Sequence, residues 1–385
     1  MDTGAGVIIQ NVLQQYELGE LSDYVKDQRG FVNTSYAIET ILDSQRSRYF
    51  LRRYKASIRE EELIFEHSLI NHLVHKGLSI VAHVWPTKEG TTYVWQPESM
   101  SEGQGAFYAI FDFLEGEDRY TWINPTCTMA EIKNAAVVLA QFHQAVFDFQ
   151  PEGKRAEPKI MDLLPVIARN VVRNSSSAGR ISRKHTAFDA CLLEQVDPIL
   201  NHIEQTRRAL SVPAYQQLPQ LVIHCDYHPG NLKFQDNRVV GLFDFDWSKL
   251  DVRVFDVALA AFYFFTGWEG EADGHLRLDQ LGLFMKSYQD TLRTSSSERN
   301  SNSEKDAPGL GHMTSLELEF FPSLLQAANL YVLNWDIEDY YQKSVDPQEY
   351  LMFLRHGVRL IQWFADLNNL DELHRTIAAE QDFRQ

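Results

Sequence analysis

Residues Leu221 to Ala260 read LVIHCDYHPGNLKFQDNRVVGLFDFDWSKLDVRVFDVALA, and this stretch decides how the remainder is read. A short apolar strand, Leu221 to Ile223, runs into His224-Cys225-Asp226-Tyr227-His228-Pro229-Gly230-Asn231. Leu232 to Gln235 and Arg238 to Phe243 predict a hairpin turning at Asp236-Asn237, with the second strand ending at Asp244-Phe245-Asp246. Loops that leave strand ends carry chemistry disproportionately. Here they deliver three carboxylates and an asparagine to one end of one hairpin.

That spacing suits phosphoryl transfer, which needs positioning and charge neutralisation more than covalent help. An aspartate opening the loop can accept the proton of an attacking hydroxyl. An asparagine five residues later and an aspartate on the paired strand can hold Mg²⁺, which prefers oxygen ligands and bridges phosphates. The order is the H-x-D-x-x-x-x-N followed by D of kinases. Blander readings exist for each residue: a satisfied buried histidine at His224, a loop-capping Asp226, turn chemistry at Asn231 and Asp244, and plain loop shape at His228-Pro229-Gly230.

Outward from this stretch the chain divides by character. The first 115 residues read as strands with one helix: Ser35 to Leu42, Tyr49 to Tyr54 across a turn at Asp43 to Arg48, Ile80 to Trp85, Thr92 to Gln96 and Phe107 to Phe111. The helix spans Ser57 to Lys76, with Ser57 and Glu60 as a capping box and Gly77 past its end. From about residue 119 helices take over. Thr128 and Glu131 open one that runs to about Phe149, and 160–173, 187–206, 254–265, 278–293, 316–343 and 347–368 show helical periodicity. Asn174 to Gly179 and Thr294 to Gly311 read as solvated loops. The expected class is α+β: a small β-rich N-terminal lobe (1–115) and a large α-helical C-terminal lobe (116–385), with a small-molecule cleft between them.

The sequence resembles the aminoglycoside phosphotransferase and choline kinase superfamily, of protein-kinase-like bilobal fold, with the look of its homoserine kinase type II branch. Val222 to Asn231, Gly241 to Asp246 and Phe255-Asp256-Val257-Ala258 carry the likeness, together with Gly30 to Tyr36, Tyr49 to Arg53 and Glu66. The resemblance implies an ATP- and Mg²⁺-dependent kinase with Asp226 as catalytic base and Asn231 and Asp244 as metal ligands. Asp246 would be an auxiliary contact, and His224 and Asp256 supports of the loop. Gly30 and Asn33 would shape the phosphate loop. Arg52 stands where the family pattern has a lysine; its fork is larger and not equivalent, and Arg53 is the fallback if the register slips by one. Asp112 and Leu114, in a hinge from Ile110 to Gly116, would lend backbone groups to adenine.

The residues add their own argument at Glu66. Leu63, Leu69, Ile70, Leu73 and Val74 form one helical face, and Glu66 lands in its middle. A carboxylate there is costly unless paired, so a cation from strand Tyr49 to Tyr54 should reach it. Phe50, two residues before Arg52, shares its strand face and would stack on adenine. From Arg46 to Arg59 six basic residues occur without an acidic one, a positive region for a polyanion.

Acidic and aromatic residues gather at Trp268 to Asp273 and Trp335 to Tyr341, which suits a small hydroxyl acceptor bearing an amine, homoserine first among candidates. A protein serine/threonine kinase, or a non-catalytic nucleotide-binding regulator, is the alternative.

Composition agrees. With 36 Lys+Arg against 53 Asp+Glu the formal charge is −17, which disfavours nucleic acid as partner. The 44 % apolar content excludes disorder as the main state. The longest apolar run, Val257 to Phe265, falls short of the roughly 20 residues a membrane span needs. Three scattered cysteines and a start without a basic-then-apolar leader predict a cytoplasmic protein.

Overall fold

The computed structural model describes residues 3–27, 32–97, 105–179, 186–301 and 310–379. The chain forms two compact units. The first comprises Met1–Glu117, Asp148–Ala156 and Val240–Asp246; the second comprises Asp118–Phe147, Glu157–Val239 and Trp247–Gln385.

The first unit is built on an antiparallel sheet of β1 (Glu20–Asp27), β2 (Thr34–Leu42), β3 (Gln45–Arg53), β4 (Val94–Pro97) and β5 (Gly105–Asp112), ordered β1-β2-β3-β5-β4. Side chains alternate across it. On one face Ile38, Leu51, Tyr108 and Ile110 pack with Ile9, Val12 and Leu13 of helix α1 (Thr3–Leu13). On the other, Phe50 pairs with Phe111 and Arg52 with Ala109, and helix α2 (Glu60–His75) meets that surface through Glu66 and His67.

Several boundaries differ from expectation for physical reasons. The β2–β3 turn is two residues, Asp43 and Ser44, both at positive φ (49° and 67°), so β3 already begins at Gln45. Helix α2 is capped at Arg59, not Ser57, and Glu62 accepts from the Arg59 N–H at 3.4 Å. Buried Ile58 must turn inward first, which delays the helix. Ile80 to Trp85 is not a strand; it makes single bridges, Val81 to Leu242 and Val84 to Phe111.

The second unit holds α3 (Met129–Ala145), α4 (Ile160–Ala178), α5 (Ala187–Ala209), α6 (Val212–Tyr215), β6 (Gln220–Ile223), β7 (Leu232–Gln235), β8 (Arg238–Leu242, whose last residues enter the first unit), β9 (Lys249–Val252), α7 (Arg253–Phe265), α8 (Leu278–Ser301), α9 (Ser315–Gln342), α10 (Pro347–Ala365) and α11 (Leu367–Ala379). Thr128 and Glu131 cap α3 reciprocally, at 3.3 and 2.8 Å. Strand β9, unforeseen, pairs antiparallel with β6. Helix α7 is buried along its whole length and packs beside α9, which packs beside α10.

Asn174 to Ala178 is not a loop but the end of α4. Asn174, Ser175 and Ala178 are buried, and the hydroxyls of Ser175, Ser176 and Ser177 donate to carbonyls three or four residues back. The second expected loop is helical to Ser301; 302–309 lie outside the described residues. No helix among them is long and apolar enough to cross a membrane.

Candidate active site

In the second unit the site is assembled around Asp256, near the N-terminus of α7. This carboxylate is fully buried. It accepts the His224 and Cys225 backbone N–H groups, both at 2.8 Å. It also meets His143 Nε2 at 3.0 Å, and His143 Nδ1 meets the Tyr288 hydroxyl at 2.7 Å. Burial holds His143 below its ordinary range. It is therefore neutral, with Nε2–H donating to Asp256 and Nδ1 accepting from Tyr288. Cys225 adopts φ 63°, a left-handed conformation that a side chain resists. The two bonds to Asp256 hold it there, and the loop turns sharply just before Asp226.

Asn231 fixes the Asp226 side chain from the far end of the loop. Its Nδ2 donates to Asp226 Oδ2 at 2.8 Å and to the Asp226 carbonyl at 2.9 Å. Its Oδ1 makes no hydrogen bond among the described residues. His228 Nδ1 accepts from the Gly230 N–H at 3.0 Å, so its Nε2 carries the hydrogen, 3.6 Å from Asp226 Oδ2. Burial alone would raise the Asp226 carboxyl. His228, His224 and Asn231 outweigh it and hold the group below its ordinary range. The result is a carboxylate fixed in position by Asn231.

In the first unit Arg52 links two carboxylates, Nη1 to Glu66 Oε1 and Nη2 to Asp244 Oδ1, each at 3.2 Å. Glu66 is 1 % exposed, so the cation its position demanded is present. Asp244 sits at φ 69°, strained for a non-glycine residue, on a partly exposed turn. Asn33 Nδ2 donates to Asp246 Oδ2 at 3.0 Å, and Asn33 Oδ1 accepts the Lys55 N–H at 3.0 Å. Asn33 thus ties the start of β2 to the Asp244–Asp246 turn. Gly30 lies outside the described residues.

Phe50 is half-buried on the Arg52 face of β3. Asp112 uses its amide, one of the backbone groups expected at the hinge, internally. Its N–H donates to the His83 carbonyl at 2.9 Å, and its carboxylate accepts from His83 N–H and Trp85 Nε1. Its amide is therefore spent within the protein. Leu114 makes no hydrogen bond among the described residues.

Asp246 and Glu66 are both pushed up to about 7, in each case first by burial. For Asp246 the next cause is Asp244; for Glu66, Asp246 adds to the rise while Arg52 opposes it. Arg155, from a distant segment, bears on both and was invisible as a site residue in the sequence. The raised folded-state value sets the sign for stability. Between about pH 4 and 7 the native state binds more protons than the unfolded chain, so stability falls as pH rises through that window. Asp246→Asn removes this burden. Its melting temperature should exceed wild type by more at pH 8 than at pH 4.5; a pH-independent difference overturns the assignment.

Of the two acidic–aromatic clusters, the first pairs its buried acid, Asp273, internally. Asp273 accepts from His356 Nδ1 at 2.8 Å and pairs with Arg359, while Trp268 stacks on His356 at 3.5 Å. In the second, Glu338 accepts from Arg173 and Asn174, and Asp339 pairs with Lys343. Asp336 has no such partner among the described residues.

A profile of the phosphotransferase enzyme family, APH, matches residues 25–289. The homoserine kinase of Parvibaculum lavamentivorans is 26 % identical over 283 residues, 73 % of this chain and 75 % of that protein. The solved microcompartment-associated aminopropanol kinase is similar in fold, with TM-score 0.62 at 14 % identity over 96 % of this chain and 99 % of that one. An amicoumacin kinase, solved in complex with AMP-PNP, Ca²⁺ and Ami, gives a TM-score of 0.61 at 15 % identity over 94 % of each chain.

Proposed function

The chain belongs to the APH phosphotransferase enzyme family and is a kinase; from that premise we propose that it transfers the γ-phosphoryl group of ATP to the hydroxyl of a small amine-bearing metabolite, homoserine being the first candidate. The observation that carries this reading is Asp226, held as a carboxylate by Asn231 and His228 on a loop pinned to Asp256.

In the reaction the acceptor oxygen bonds to the γ-phosphorus as the bond from that phosphorus to the β–γ bridging oxygen breaks. ADP departs with that bond's electron pair, and the hydroxyl proton passes to Asp226. A carboxylate held below its ordinary range is a weak base. Its part is to orient the hydroxyl and take the proton late, which suits a loose transition state.

Asn231 and Asp244 are the candidate protein ligands for Mg²⁺. Their oxygen donors are of the hard type it prefers, and the uncommitted Asn231 Oδ1 fits that use. When bound, the ion neutralises charge on the phosphate oxygens. Arg52, braced by Glu66, is the candidate phosphate contact. Phe50 and Leu114 are candidates for the adenine, and Asn33 is a candidate for shaping the phosphate turn.

Purified full chain should release ADP from Mg–ATP when given L-homoserine, ethanolamine or 3-amino-1-propanol one at a time, and not with a serine-containing peptide. Release with the peptide alone, or with none of them, overturns the reading.

A further inference from the structure

Glu66 braces Arg52 only while helix α2 stays in place, and α2 is held from outside by Asp148–Ala156, a strap without helix or strand that belongs to the same compact unit. Glu61, Phe65, Ser68, His72 and Lys76 recur every three or four residues and form one face of α2. The strap follows that face from end to end. Asp148 pairs with Lys76 Nζ at 2.5 Å and meets His72 Nε2 at 3.4 Å. The Phe149 ring lies 4.9 Å from that of His72 and 6.5 Å from that of Phe65. The Glu152 N–H donates to Ser68 Oγ at 3.2 Å, and the Lys154 N–H to the Glu61 carbonyl at 2.9 Å. The face carrying Glu66 and His67 points the other way, to the sheet.

Gly153 presses on the helix backbone itself. It sits at φ 74°, and a Cβ there would overlap the Glu61 carbonyl oxygen and lie 2.7 Å from the Phe65 nitrogen. Those atoms belong to the helix hydrogen-bond ladder and cannot turn aside as a side chain can. Only glycine lets the strap lie this close. One residue beyond Lys154, Arg155 adds a cation that favours ionised Glu66, the form that attracts Arg52. On the sheet side the brace is a single contact, Arg52 Nη1 to Glu66 Oε1 at 3.2 Å. An outward shift of α2 by about 1 Å takes that contact beyond hydrogen-bond range.

We propose that the strap aims the phosphate contact, with Gly153 its positioning residue: by pressing α2 against the sheet from outside, it holds Glu66 at Arg52 and so fixes the guanidinium. This rests on the reading of Arg52 as phosphate contact above. To that reading it adds a cause for the brace. The helix is clamped on two opposite faces, so the pair is set before the nucleotide arrives, and little has to reorganise around the phosphates.

The test is calorimetric titration of the full-length protein with Mg–ATP and with adenosine. Gly153→Ala lifts the strap. Mg–ATP should then bind at least tenfold more weakly, while adenosine, which offers Arg52 no phosphate, stays within twofold of wild type. Glu66→Gln should do the same, and adding Gly153→Ala to it should change little further, since both act through one pair. Should Gly153→Ala fail to fold, Ser68→Ala combined with Asp148→Asn cuts the strap's polar ties and carries the test, with a loss of at least threefold expected for Mg–ATP and none for adenosine. Equal weakening of Mg–ATP and adenosine, the mark of general loosening, overturns the proposal, as do unchanged affinities or losses that add in the double variant. Arg52→Gln separates the two readings. Weaker Mg–ATP binding in Arg52→Gln but not in the strap variants defeats this proposal alone. Mg–ATP binding intact in Arg52→Gln defeats the phosphate contact, and this proposal with it.

Discussion

Asp226→Asn is expected to lower kcat by 10²- to 10⁴-fold, the usual contribution of a positioned base, with Mg–ATP affinity little changed. The reason lies in the hydrogen bonds. Asn231 Nδ2 donates to Asp226 Oδ2, and His228 Nε2–H faces the same oxygen. Both are donors, so the asparagine side chain can satisfy them only with its single oxygen. Its amide nitrogen then occupies the other position and offers hydrogens where the acceptor's hydroxyl proton must go. The loop itself hangs on Asp256, not on this side chain, so the fold should be retained. Steady-state ADP release with the best amino-alcohol acceptor is the measurement. A variant within tenfold of wild type removes Asp226 from the role of base.

Asp256→Ala should be the most destabilising single change considered. It strands three buried donors, the His224 and Cys225 amides and His143 Nε2. A buried donor left unpaired costs about 1–3 kcal/mol, so three together cost about 3–9 kcal/mol. At about 2–4 °C per kcal/mol for a large domain, the melting temperature should fall by at least about 6 °C. Turnover measured well below that temperature should also fall, because Cys225 loses the amide bond that helps hold it at positive φ before Asp226. Thermal unfolding and kcat read the two effects separately. A loss below about 1 kcal/mol, the low end for one stranded donor, with kcat intact, shows that the loop is held by other means.

Where residues were legible in sequence, the cause was local chemistry. Asp236-Asn237 marked a hairpin because both side chains tolerate positive φ, and both adopt it (49° and 61°). Thr128 and Glu131 marked a helix start because the capping box closes over three residues. Glu66 foretold a cation because a charge on an apolar face must be paired, and Arg52 is within 3.2 Å. Ser57 misled, since a capping residue works only where the next side chains do not first turn into the core. The serines at 175–177 misled because helical serines can bond back to their own carbonyls. Among candidate site residues, His143 looked like any histidine on an apolar helix.

Two things are settled by the sequence alone: the division into a strand-rich start and a helical remainder, and the loop carrying Asp226 and Asn231. Both are written in patterns spanning a few residues, where propensity and spacing act directly. Tertiary structure decided which charged groups find partners. His143 and Asp256 stand 113 positions apart, and Asn33 and Asp246 stand 213 apart. Pairings at such separations depend on how strands and helices pack, and the same packing left Asp336 with none among the described residues.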